Sequence, residues 1–296
     1  MKSVENCVIC GSNDLTGYDT YCTPFIAERI WNSAPFPVKL LHCNKCDFIF
    51  YSPRPEESEL EKLYKNYRGL EYQQQREKFE KWYTKEVNES IGNNKLEIEE
   101  RKSNMSAFLA GRYDNGKVKS VLDYGGDKGQ FIPDEFSGAD RYVYDISNNP
   151  LCPEIKRIVD ISESEEKKFD FIFCCHVLEH VPYPNEVIDR VLKFSHKNTK
   201  FYFEVPIDLP LFLNGVFLNY FFKFFSSHAM LHLYSKIRQR HDANAFFPMH
   251  EHINFFTRVS MRRLLELRGL KVDYIAIQEI QLSACNRILS CYATRK

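Results

Sequence analysis

The sequence predicts an α/β fold, an open, doubly wound sheet preceded by a small metal-binding module, and three observations lead there. From Lys119 onward, short apolar runs alternate with helical patterns, the grammar of a parallel sheet built from βαβ units. The first of those runs hands over to a glycine-rich turn, Gly125-Gly126-Asp127-Lys128-Gly129. Before residue 50 stand two C-x2-C pairs, Cys7/Cys10 and Cys43/Cys46. The composition agrees: 296 residues with 44% hydrophobic and 15% aromatic side chains can bury a core, which excludes disordered and fibrous classes. Forty Lys plus Arg against 40 Asp plus Glu leave no basic surplus, so no nucleic-acid partner is expected. Met1 opens onto Lys2, Ser3, Val4, Glu5 and Asn6 with no apolar run behind it, so a cytoplasmic protein without a secretory signal is expected.

Residues 1–55 read as a zinc-binding module. Each C-x2-C knuckle points two sulfurs at one ion, and two knuckles complete a tetrahedral Zn(II) site at Cys7, Cys10, Cys43 and Cys46. The gap between the pairs is longer than the common zinc-ribbon spacing. Four protein ligands leave no open position, so this zinc is structural. Cys22, Cys152, Cys174, Cys175, Cys285 and Cys291 are scattered, mostly in apolar runs where a core thiol is expected.

Residues 56–95 form a helical linker: Ser52-Pro53-Arg54-Pro55 breaks the chain, and polar helices are expected over 56–67 and 72–89, the second ended by Gly92, Asn93 and Asn94. Their charge-rich face reads as solvated. The main domain, 96–296, opens with a helix over 96–112. Strands are expected over 120–124, 141–144, 157–159, 169–175 and 200–205, with helices filling the gaps, most clearly 185–194 after Pro184. A helix over 258–268 carries Thr257 as N-cap and Gly269 as C-cap, and strands 272–278 and 287–294 close the chain within hairpin reach.

Ligands of such sheets bind at the carboxyl edge of the strands, where the glycine turn lies. Gly125 and Gly129 permit a tight turn and close backbone approach. Asp145 ends the second strand, 20 residues on, where a carboxylate accepts from both ribose hydroxyls. Asp160 ends the third, where a carboxylate meets an adenine amino group. Asp123 and Asp127 would repel a pyrophosphate, so the ligand should be a nucleoside carrying positive charge. S-adenosylmethionine has that composition.

These features, with Phe169-Asp170-Phe171-Ile172-Phe173-Cys174-Cys175-His176-Val177-Leu178-Glu179-His180-Val181, resemble the class I S-adenosylmethionine-dependent methyltransferases from about Leu96 to the end. The resemblance implies a seven-stranded Rossmann-like methyltransferase sheet. It also implies that Asp123 and the turn from Gly125 through Gly126 and Asp127 to Gly129 hold the amino-acid end of the cofactor, Asp145 and Ile146 the ribose side, and Asp160, Cys175 and His176 the adenine side. The cysteine module, together with Tyr64-Lys65-Asn66-Tyr67, is similar to a subgroup typified by sugar C-methyltransferases, whose further C-terminal domain has no counterpart here.

Met249-His250-Glu251-His252-Ile253-Asn254-Phe255-Phe256 is the densest group of titratable side chains, just before the capped helix. Methyl transfer to a hydroxyl or carbon acid needs an aligned acceptor and a group to take its proton. The resemblance implies that His252 is that base, Glu251 its orienting partner, and His180 a residue facing the substrate. Histidines that cap a helix or pack structurally are the plainer alternative. Residues 206–248 are extremely apolar; they read as a lid or a homodimer surface in preference to an interfacial helix contacting a membrane beside Lys236, Arg238 and Arg240. The function expected is methyl transfer to a small polar acceptor, a sugar or nucleotide-linked sugar in surface-glycan or natural-product biosynthesis. The alternative is a zinc-containing scaffold whose methyltransferase fold has lost activity through Asp127, where the family's common loop has Gly.

Overall fold

The computed structural model describes residues 1–147, 149–207, 248–282 and 287–296. Most of the aromatic stretch 206–248, and Cys285, therefore lie outside the described residues. Two sheets organise the chain. The larger has seven strands in the order β10-β11-β8-β7-β4-β5-β6: β4 (Ser120–Tyr124), β5 (Asp140–Tyr144), β6 (Ile155–Ile158), β7 (Phe169–Cys175), β8 (Ser195–Pro206), β10 (Leu270–Glu279) and β11 (Arg287–Arg295). The first five are parallel, and β11 and β10 add antiparallel at the β8 edge. The chain runs outward from β4 through β5 to β6, then returns to lay β7 on the other side of β4. The crevice beyond the carboxyl ends of β4 and β7 is thus a topological switch point.

The seven strands and doubly wound order match the expectation, but the helices in the gaps do not. Among the described residues the only α-helix between the parallel strands is Pro184–Lys193; two other crossovers hold short 3-10 turns, Asp134–Phe136 and Ile161–Glu165. Gly129, Pro133 and Gly138 interrupt the first crossover and Pro150 and Pro153 the second, removing donors and favoured helical backbone. The uncovered face is closed instead by the helix Lys95–Leu109, whose Met105, Phe108 and Leu109 pack with Val121, Phe136, Phe171, Phe173 and Tyr202. The expected 72–89 helix is two, Leu70–Phe79 and Lys85–Ser90, because Thr84 caps the second through its hydroxyl. The cap at Thr257 is formed as expected, accepting from the Ser260 amide ahead of the helix Arg258–Leu267.

The smaller sheet was not foreseen. It orders β1 (Leu15–Tyr21), β2 (Pro37–Cys43), β3 (Ile49–Ser52) and β9 (Asn254–Phe255), all antiparallel. Its last strand comes from the segment bearing the histidines. Arg54, fully buried, donates to the carbonyls of Tyr51 and Val181 and to Asn254 Oδ1 at 2.6 Å. Asn254 in turn donates to the carbonyls of Leu178 and Val181, both at 2.7 Å. Glu179 O accepts from the Ile253 and Asn254 amides at 2.8 and 3.1 Å. The loop after β7 and the segment 249–254 are therefore locked together.

Candidate active site

An open cavity of about 2190 Å³ lies over the switch point and is lined by both the glycine turn and the histidine segment. At its floor Gly125 donates to Tyr144 O at 2.7 Å and has φ +79°; a Cβ there would meet Val177 at 2.3 Å. At Gly126 a Cβ would fall 2.3 Å from the Asp123 carboxyl carbon. Both positions leave bare backbone against the cavity. Asp127, with φ +51°, takes the left-handed conformation that aspartate tolerates better than most residues. Its amide donates to Asp145 Oδ2 at 2.9 Å, and its carboxylate accepts from Asn149 at 2.8 Å and Gln130 at 3.2 Å. The Asp in place of the family's Gly is thus accommodated. Asp145 also accepts from the Ser147 amide at 2.7 Å, so it shapes the turn as well as the cavity wall.

Asp123 is buried, and among the described residues nothing hydrogen-bonds its carboxylate. Desolvation, reinforced by Asp145, pushes its pKa up to about 7. Ile146 is 76% exposed on the wall. Cys175 and His176 also line the cavity; burial pushes the Cys175 thiol well up. His176, at φ +55°, is desolvated and repelled by Arg101, yet Glu179 and Glu204 raise it to about 9. Glu204 pairs with Arg101 at 2.9 Å and with His176 Nε2 at 3.0 Å. Asp160 is not among the lining residues. It caps the turn Ile161–Glu165, accepting from the Ser162 amide at 2.7 Å, and its neighbour Val159 reaches the cavity instead.

Across the cavity the structure brings together His180, His252 and Glu179. The two imidazole centroids are 4.7 Å apart in a T-shaped contact. His180 Nδ1 lies 3.1 Å from Glu251 O and from the Tyr64 hydroxyl. A carbonyl only accepts, so Nδ1 carries the proton and Nε2 presents a lone pair. Burial lowers the His180 pKa to about 4 and His252 adds to it, so the ring is neutral. The Glu251 carboxylate points elsewhere: it accepts from Arg76 at 2.9 Å and from the Tyr72 hydroxyl. Desolvation raises its pKa, but Arg76 and His250 outweigh this and hold it well below the ordinary carboxylate range. His250 Nε2 meets Glu80 at 2.5 Å.

Sequence reasoning missed Glu179, Tyr64, Tyr72, Arg76, Arg101 and Glu204. Glu179 sits inside the Leu-Glu-His-Val stretch, where attention fell on the histidine. The tyrosines interleaved among the charges of 56–89 were a signal against a purely solvated face. Arg101 and Glu204, 103 residues apart, left none.

At the amino end, Cys7, Cys10, Cys43 and Cys46 bring their sulfurs within 4.8 Å of one another, the closest pairs at 3.5 and 3.6 Å. A tetrahedral ion with metal–sulfur bonds of about 2.3 Å needs separations of about 3.8 Å. The set therefore fits a zinc ion. No described helix is long and apolar enough to cross a membrane.

A glycine turn at the switch point, with acidic strand ends beside it, is the place where α/β sheets of this order take their ligands. The chain belongs to the methyltransferase-domain family, whose model matches residues 97–275. No curated protein sequence matches it. Among solved structures it is similar to 1,6-didemethyltoxoflavin-N1-methyltransferase of Burkholderia thailandensis, crystallised with bound 1,6-didemethyltoxoflavin and S-adenosylhomocysteine. The two are 12% identical, over 88% of this chain and 96% of that one, with TM-score 0.49. It is also similar to magnesium protoporphyrin IX methyltransferase of Synechocystis PCC 6803, at 14% identity over 71% and 87%, with TM-score 0.43.

Proposed function

We propose that the protein transfers a methyl group from S-adenosylmethionine to a hydroxyl of a small polar acceptor, a sugar or nucleotide-linked sugar, in the cytoplasm. The observation that carries the cofactor is the acidic basin at the glycine turn. Asp123 is buried without a hydrogen-bond donor among the described residues, Asp127 and Asp145 stand beside it, and the cavity's nearby arginines already face carboxylates, Arg68 with Asp127 at 3.9 Å and Arg101 with Glu204 at 2.9 Å. A cationic nucleoside would satisfy Asp123 and offset the charge of Asp127 and Asp145, which already accept from neighbouring amides. The cofactor supplies an electrophilic methyl group on a sulfonium. Asp123 would hold its ammonium end, Asp145 its ribose, and the bare backbone of Gly125 and Gly126 lets both approach. Glu179, His180 and His252 face the acceptor side, where they handle the hydroxyl proton. The sugar reading draws on the resemblance to the zinc-bearing sugar methyltransferases and on the Tyr64 and Tyr67 rings at the cavity.

Calorimetry with S-adenosylmethionine tests this directly, and absence of binding would sink the enzyme reading in favour of a scaffold. The pH dependence is specific. Asp123 has a raised pKa in the free protein, and a bound cation lowers it. Affinity should therefore rise from pH 6 to pH 8, with proton release seen across buffers of different ionisation enthalpy. The sign for stability is the reverse: the free protein keeps this contribution fully below about pH 4 and loses it as pH rises through about 7. Gly126→Ala, which drives a methyl into the Asp123 carboxyl group, should weaken binding by more than about tenfold, a change of over about 1.4 kcal/mol. We further propose one structural zinc per chain, removed by Cys43→Ser and read by metal analysis of the reduced protein.

A further inference from the structure

We propose that Glu179, His180 and His252 form a second metal site, for a single divalent ion of the zinc, manganese, iron or cobalt type, on the acceptor side of the cavity. The inference deepens the methyl-transfer reading and rests on it for its role, not for its geometry. One donor atom from each of the three residues lies within 4.8 Å of the other two. Glu179 is 1% exposed, and neither carboxylate oxygen is hydrogen-bonded among the described residues. Its closest cationic atom is His176 Nδ1, at 3.2 Å. His176 meets Oε1 as an ion pair, but Oε2 is buried with no donor among the described residues, and a buried oxygen in that state is costly unless a second cation meets the carboxylate.

The second observation is the orientation of His180. Its Nδ1–H is committed to the Glu251 carbonyl at 3.1 Å, so the Nε2 lone pair faces Glu179 Oε1 at 3.8 Å. Two acceptors facing each other repel, and an ion between them removes the conflict. Bonds of about 2.1 Å to a tetrahedral ion put such donors about 3.4 Å apart, a few tenths of an ångström closer than this pair stands, with the His252 donor within 4.8 Å of both. A backbone carbonyl behind the distal ring nitrogen is also how metal-ligating histidines are oriented. The Arg54–Asn254 clamp fixes both ligand-bearing segments. Two imidazoles and one carboxylate suit borderline divalent ions.

His180 and His252 line the cavity, so the remaining coordination positions open towards the acceptor. The three side chains would then act on the hydroxyl proton through the ion, as ligands that make a bound hydroxyl more acidic, and not as bases themselves. The hydroxyl's proton leaves to water as the oxygen lone pair forms the bond to the methyl carbon. The electrons of the broken carbon–sulfur bond return to sulfur.

Cobalt(II) added to the full chain, stripped with a mild chelator, distinguishes this site from the cysteine cluster. Thiolate ligation gives an intense near-ultraviolet charge-transfer band; the proposed site gives weak visible bands without it. One equivalent of the second kind is expected, its affinity falling by more than about tenfold in Glu179→Gln and in His252→Ala. The thiolate band reports that each variant still folds. No such equivalent, or one unchanged in both variants, overturns the proposal. S-adenosylmethionine binding without this ion would overturn the metal site alone; cobalt bound here without S-adenosylmethionine binding would overturn the methyl-transfer reading alone.

Discussion

Replacing Arg76 with methionine is expected to lower the unfolding free energy by about 3–5 kcal/mol, the usual cost of stranding a buried charge. Arg76 is 8% exposed and joins two carboxylates, Glu251 at 2.9 Å and Glu80 at 2.8 Å, with its guanidinium 4.0 Å over the Tyr83 ring. Methionine keeps most of the stem volume but leaves both acids in place, with only the Tyr72 hydroxyl and His250, among the described residues, to answer them. Lys78→Met is the control: its pair with Glu28 is exposed, so a change within about 1 kcal/mol is expected. Urea unfolding with an unchanged m-value measures both. A loss below about 1 kcal/mol for Arg76→Met would show that the network does not tie the histidine segment to the linker helices.

That network also shows where the sequence was readable and where it was not. The Ser-Val-Leu-Asp-Tyr run, its glycine turn, the paired cysteines and the Thr257 cap are local signals, each spanning a few residues, and each formed in place. Arg76 meets Glu251 across 175 residues, and β3 meets β9 across about 200, distances at which periodicity carries no information. The same limit explains why Glu251 was read as the partner of His252. They are adjacent in sequence, but the Glu251 carboxylate belongs to Arg76 and Tyr72, and the carboxylate beside His252 is Glu179, brought there by the clamp at Arg54. The missing crossover helices have a local cause. The alternation of strands was read correctly, whereas Gly129, Pro133, Pro150 and Pro153 were given too little weight as helix breakers.

His252→Ala is expected to lower turnover by roughly 10²–10⁴-fold, about 3–5 kcal/mol of transition-state stabilisation. A sugar hydroxyl is a poor nucleophile, and its attack on the methyl group is helped if its proton leaves as the new bond forms. His252 faces the cavity beside His180 and within reach of Glu179, the grouping best placed to manage that proton. Its removal should leave the affinity for S-adenosylmethionine nearly unchanged, because the acidic basin of Asp123, Asp127 and Asp145 is built on other strands. The effect should therefore appear in kcat, read as S-adenosylhomocysteine release with a hydroxyl acceptor, and not in the KM for the cofactor. Glu251→Gln should differ in kind: its main effect is on stability, through Arg76, with a smaller fall in kcat. An amine acceptor brings its own lone pair and needs no help with a proton. Turnover of the hydroxyl acceptor that survives His252→Ala would thus reject a role for His252 in the proton's removal and leave alignment in the cavity as the source of rate.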